Sequence, residues 1–112
     1  MYALLLFADA AAAAATTPQE AMAELAQYDA LAHELARDGE LRGGEAFLPA
    51  AEGSVVFIED GETVVAPVDA TARELSGFYV VACDEPRALE IAARMPVAGH
   101  GHVEVRPVLE LG

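Results

Sequence analysis

The chain has little positive charge. Six basic residues face 19 acidic ones across 112 residues, a formal net charge of −13. Binding a phosphate backbone takes clustered Lys and Arg, so no nucleic-acid partner is expected. Anionic membrane surfaces are disfavoured on the same ground. Charge of this sign gives a soluble, self-repelling surface, and a basic protein or a cationic ligand is the charged partner it would attract. Cysteine is also scarce. Cys83 is the only one, so no internal disulfide can form and a cytoplasmic setting is expected. It lies in an apolar run with no basic neighbour, which reads as a small buried hydrophobe rather than a reactive thiol. Tryptophan is absent, and much of the 54% hydrophobic content is alanine. The core must therefore come from a few Leu, Val, Ile, Phe and Tyr positions. A chain this short forms one domain, 1–112, with a modest core.

No hydrophobic run is long enough to span a bilayer. Met1 to Ala10 looks like a short signal-type segment, but it has no basic start and Asp9 interrupts it. It reads as an N-terminal strand, Tyr2 to Ala8. The alanine tract 10–15 reads as a loop or the first turns of a helix. Thr17-Pro18-Gln19-Glu20 is a firmer helix start, with an N-cap, a proline at the first position and a capping-box glutamate. That helix should run to about Asp38 and stop at Gly39, with Met22, Leu25, Tyr28, Ala32 and Leu35 as its inward stripe. His33 falls on the opposite side and should face solvent.

Leu41 to Leu48 reads as a strand in which Gly43-Gly44 marks a bulge or a close approach. Ser54–Glu59 and Glu62–Ala66 flank Asp60-Gly61, a strong hairpin signal. Ser76 to Cys83 is the clearest core strand. Asp84 should cap a second helix with Leu89, Ile91, Ala92 and Met95 inward, ended by Pro96. Val97 to Gly101 reads as a loop and His102 to Leu109 as the last strand. The order predicts an α+β fold: a ferredoxin-like β-α-β-β-α-β antiparallel sheet with an extra hairpin. Helices cover one sheet face. The other face needs cover, and a second copy of the chain, a homodimer, is the economical solution.

Alternation along the last strand puts His102, Glu104 and Arg106 on one face, with Val103 and Val105 on the other. A carboxylate, a guanidinium and an imidazole together can bind an anionic small molecule or move a proton. The same trio can equally be an ion pair ordering an interface. Asp9, at the end of the first strand, is either a base at a pocket mouth or a cap. Tyr79 is either a core aromatic or a hydroxyl offered to a pocket. No metal and no cofactor is expected. His100 and His102, with Asp9 and Glu104, would be the only credible ligand set, and His100 reads as an ordinary loop residue.

Three segments carry a resemblance: Gly43-Gly44-Glu45, the run from Val64 to Val81, and Val103 to Val108. Together they resemble the YCII-related proteins of the DGPF type. In that family the middle segment reads T-D-G-P-F-A-E-T-K-E-Q-L-G-G-Y-Y. Aligned on Thr71, Leu75, Gly77 and Tyr79, Pro67 keeps its place, while Asp, Gly and Phe fall on Val65, Ala66 and Val68. The resemblance implies a dimeric α+β barrel and a polar pocket to which the motif's Asp belongs. Val65 cannot ionise, so chemistry resting on that Asp is not expected here. Two functions follow from the resemblance. One is a small-molecule-binding domain with acid/base catalysis in a barrel pocket. The alternative is a non-catalytic regulatory or accessory protein, a partner in sigma-factor-linked or specialised metabolic functions.

Overall fold

The structure is a computed structural model that describes residues 1–69 and 72–111. Thr71, one of the aligned motif positions, lies outside the described residues. The first strand, β1 (Tyr2–Asp9), runs through the middle of a four-stranded sheet. It leads through a short helix, α1 (Ala10–Ala15), into the long helix α2 (Pro18–Arg37). Strand β2 (Leu41–Ala46) follows, then the hairpin β3 (Ser54–Glu59) and β4 (Glu62–Pro67), then β5 (Arg73–Val81). Helix α3 (Glu85–Ala93) and strand β6 (Gly101–Pro107) complete the order. The sheet is antiparallel throughout, in the order β2-β5-β1-β6, and β3 and β4 form a separate two-stranded sheet. This is the ferredoxin-like layout, with the hairpin inserted ahead of the third main strand.

The local chemistry sets each boundary. Thr17 and Glu20 close a reciprocal capping box at the start of α2, satisfying two amides the helix leaves unpaired. Asp84 accepts from the Arg87 amide and starts α3. At the hairpin tip Asp60 and Gly61 both take positive φ, 51° and 79°, the mirror-image turn whose twist matches the strands. Two irregularities interrupt the main sheet. One lies between Leu41 and Gly43, and one lets Ser76 bulge opposite the Leu6–Phe7 step.

The core fills the space between sheet and helices. Leu4 and Leu6 from β1 and Val81 from β5 meet Leu31 and Leu35 of α2 and Ala88, Ile91 and Ala92 of α3. Met95 and Val97 close it beneath β6. The inward stripe of α2 is shorter than its spacing predicts. Met22 is 71% and Leu25 66% exposed, whereas Leu31, outside that stripe, is buried. Leu25 lines a groove together with Gly43 and Gly44 of β2, which offer it no side chain to pack on. A similar shift occurs in α3, where Leu89 is half exposed and Ala88 takes the buried position. The segment after Pro96 is a 3-10 turn, Pro96–Gly99, rather than a loop. Among the described residues, no helix is long and apolar enough to cross a membrane.

Among the described residues, no helix lies on the other sheet face. Strand alternation puts Leu5 and Phe7 of β1 there, beside Phe78 and Val80 of β5 and His102, Glu104 and Arg106 of β6. The Cα extents, 48 × 45 × 18 Å, describe a broad, thin molecule.

Candidate functional site

The polar residues of β6 lie on the uncovered face, as alternation requires. Val103 and Val105 pack against the core, so His102, Glu104 and Arg106 point the other way. His102 stacks on Phe7, with ring centroids 4.8 Å apart and planes 6° from parallel. Arg73 Nη1 lies 2.6 Å from His102 Nδ1. A guanidinium can only donate, so Nδ1 accepts and the ring proton sits on Nε2. Arg73 thus fixes both the tautomer and the tilt of the imidazole. It also lines a pocket of about 640 Å³ with Phe7, Phe47, Leu75 and Asp69. The sequence reading missed Arg73. Its signal was positional: it is the β5 residue opposite Asp9.

Glu104 and Arg106 form a looser group. Arg106 Nη1 donates to Glu104 Oε1 at 3.4 Å, and both side chains are largely solvated. Asp9 is engaged locally: its Oδ1 accepts from the amides of Ala11, at 2.9 Å, and Ala12, at 3.5 Å, and caps α1. Tyr79 does not join this set. It pairs in register with the buried Leu4 and faces the helices, whereas Phe78 shares the face of Glu104. Adjacent residues of a strand point to opposite sides, so one pocket cannot collect Tyr79 together with the β6 trio.

A second polar group occupies the helix side. The early turns of α2, together with β2 and β5, enclose a mostly apolar groove of about 950 Å³. Tyr28 and Tyr79 stack along its wall, with centroids 6.4 Å apart. Gly44 permits this, because a Cβ there would stand 2.9 Å from the Tyr79 ring and 2.8 Å from the Phe78 carbonyl. Tyr28 Oη accepts from the Val97 amide at 3.1 Å. Burial, reinforced by the nearby Glu24 carboxylate, pushes the Tyr28 phenol up to about 12, against the pull of that amide. Burial also raises Tyr79.

His100, read from sequence as an ordinary loop residue, lines this groove and places Nε2 2.7 Å from Glu24 Oε1. Its Nδ1 is buried and has no partner among the described residues. His100 and His102 therefore take opposite sides of the sheet. Among the described residues no group of three or more His, Cys, Asp or Glu side chains could hold a metal. Cys83 is half-buried, and burial pushes its thiol up, with Glu40 and Asp84 adding to the effect.

The sequence profile of the YCII-related domain matches residues 1–112, the whole chain. The chain belongs to the YCII-related domain family. A search of curated proteins found no match. Val65, where the sequence comparison set the motif's Asp, lies on β4 of the hairpin. It is exposed and pairs with Val56. The polar atoms of this member are gathered elsewhere, at Arg73 and His102 on one face and at Glu24 and His100 on the other.

Proposed function

We propose that this protein is a small-molecule-binding domain whose site lies on the uncovered sheet face, at Arg73 and His102, completed by a second copy of the chain. The observation that carries this reading is the Arg73–His102 contact of 2.6 Å beside the apolar pocket. Arg73 and the His102 Nε2–H offer donors to an anionic group, in a lining that also carries Glu52, Asp69 and Glu74, and Phe7, Phe47 and Leu75 suit an apolar body. His102 also gives the site an acid/base group. Glu104 and Arg106, further along the same strand, then belong to the interface between copies. Packing two such sheets face to face would remove Leu5, Phe7, Phe78 and Val80 from water and form the barrel. No step depends on the Asp that Val65 replaces.

The test is titration of the full chain with benzoate, followed calorimetrically. Saturable binding is expected, and Arg73→Ala should weaken it by roughly tenfold or more, the scale of one charge-assisted hydrogen-bonded pair. Equal binding by the variant would remove the assignment.

A second reading, a non-catalytic regulatory or accessory protein, is favoured by the β3–β4 hairpin. Val56, Ile58 and Val65 are exposed on it, an apolar surface away from the core. If the hairpin holds a protein partner, Ile58→Glu should abolish capture of that partner from extract while leaving benzoate binding intact.

A further inference from the structure

We propose a second binding site, on the helix side of the sheet, for an amine with an apolar body. It is independent of the Arg73 site, which the sheet itself separates from the groove. Three observations converge there.

The first is the held carboxylate. His100 Nε2 meets Glu24 Oε1 at 2.7 Å, and both side chains are about two-thirds removed from solvent. In its neutral form the imidazole donates from Nε2 and leaves its buried Nδ1 as a bare acceptor, which avoids burying an unpaired N–H. Glu24 Oε2 makes no hydrogen bond among the described residues, so the carboxylate retains acceptor capacity.

The second is the aromatic wall. Tyr28 and Tyr79 lie nearly parallel, 16° apart, in the same groove as Glu24. Tyr28 sits one helical turn beyond Glu24 on α2, the spacing that brings side chains together. Ring faces beside a carboxylate attract an organic cation. The third is the charge of the lining. Its charged residues are Glu24, Glu45 and Arg42, and Arg42 is turned to the backbone carbonyls of Gly39 and Leu41. The local balance is negative, as is the chain as a whole. The exposed Leu25 lines the same groove and supplies apolar surface for the ligand body.

Calorimetric titration of the full chain with 4-phenylbutylamine and with 4-phenylbutan-1-ol separates charge from shape. The amine should bind saturably, and the alcohol roughly tenfold or more weakly. Glu24→Gln should cost the amine a similar factor. Leu25→Arg, at an exposed position, should repel it without touching the core, so the test survives a folding defect in Glu24→Gln. Arg73→Ala should leave amine binding unchanged even where benzoate binding is lost. Any of four results overturns the proposal: no saturable amine binding, equal affinity for the alcohol, wild-type affinity in both groove variants, or loss of amine binding in Arg73→Ala.

Discussion

Arg87 grips Glu40 with two hydrogen bonds, Nε to Oε2 and Nη2 to Oε1, each 2.9 Å long. Glu40 is a junction. Its carbonyl accepts from the Ala82 amide at 2.7 Å, while its carboxylate holds the first turn of α3. The pair therefore ties the entry of β2 to the end of β5 and to α3. Lysine cannot reproduce a planar fork. Arg87→Lys should lower the melting temperature by several degrees. Arg37→Lys is the control, because Arg37 pairs with its neighbour Asp38 on the surface and should change little. Thermal melts of the two variants side by side decide the point.

Tyr28 predicts an alkaline effect. Its phenol is raised from 10.0 to about 12 in the folded chain. Between those values the unfolded chain loses the proton while the folded one keeps it, so stability falls as pH rises through that window. Phenolate absorbance should show one tyrosine titrating near 12. Tyr28→Phe should flatten the dependence of stability on pH in the same range. At neutral pH it should also cost about 1 kcal/mol, since the Val97 amide loses its acceptor.

Glu34 predicts the acid side. Arg94 hydrogen-bonds its carboxylate and holds it below its ordinary 4.5. A depressed carboxyl stabilises the fold above the ordinary value, and that contribution is lost as pH falls through the folded one. Both groups are partly solvated, so the effect is modest and salt-sensitive. Glu34→Gln should reduce the loss of melting temperature below pH 4.5 and leave the alkaline limb unchanged.

Helix α2 separates buried from exposed leucines. Leu35 is fully buried and Leu25 is 66% exposed, although both fit one apolar stripe by spacing. Leu35→Ala should cost about 2–5 kcal/mol through lost contacts and the cavity left behind. Leu25→Ala should change stability by roughly 0.5 kcal/mol or less. Denaturant midpoints at unchanged slope would measure both.

These contrasts mark what sequence can carry. Caps, turns and alternation are local, so Thr17, Asp60-Gly61, Asp84 and the two faces of β6 were readable. They also fixed the element order, and with it the ferredoxin-like layout. Burial along a helix depends on what stands opposite. Nothing near Leu25 in sequence announces that it will share a groove with Gly43 and Gly44. The polar pairs were hidden for the same reason. Glu24 and His100 are 76 positions apart, and Arg73 and His102 are 29 apart. The first pair exists only through the packing of α2 against the turn before β6, and the second only through the register of β5 and β6 on β1. Of the two readings of Tyr79 the core aromatic agrees with its packing, and which side of the sheet it shares with β6 depends on the β1 register between them.

The uncovered face predicts association. Phe78 lies in its centre, half-buried, against Phe47 at 5.9 Å and opposite Leu5 of β1. Among the described residues no helix lies over this face, and Phe47 covers only part of it. Standard interfaces between folded chains remove about 800 Å² from each partner, well within the reach of a four-stranded face. Phe78→Glu places a charge where a second copy would seat. It should convert a dimer to a monomer in sedimentation while retaining the helical signal, because the core lies on the other side of the sheet. It should also weaken benzoate binding, since a pocket completed by the second copy would be left open. Arg73→Ala should do the reverse, losing benzoate while keeping the dimer. A wild-type chain that sediments as a monomer at micromolar concentration would sink the face-to-face arrangement and leave the Arg73 pocket open on a single sheet.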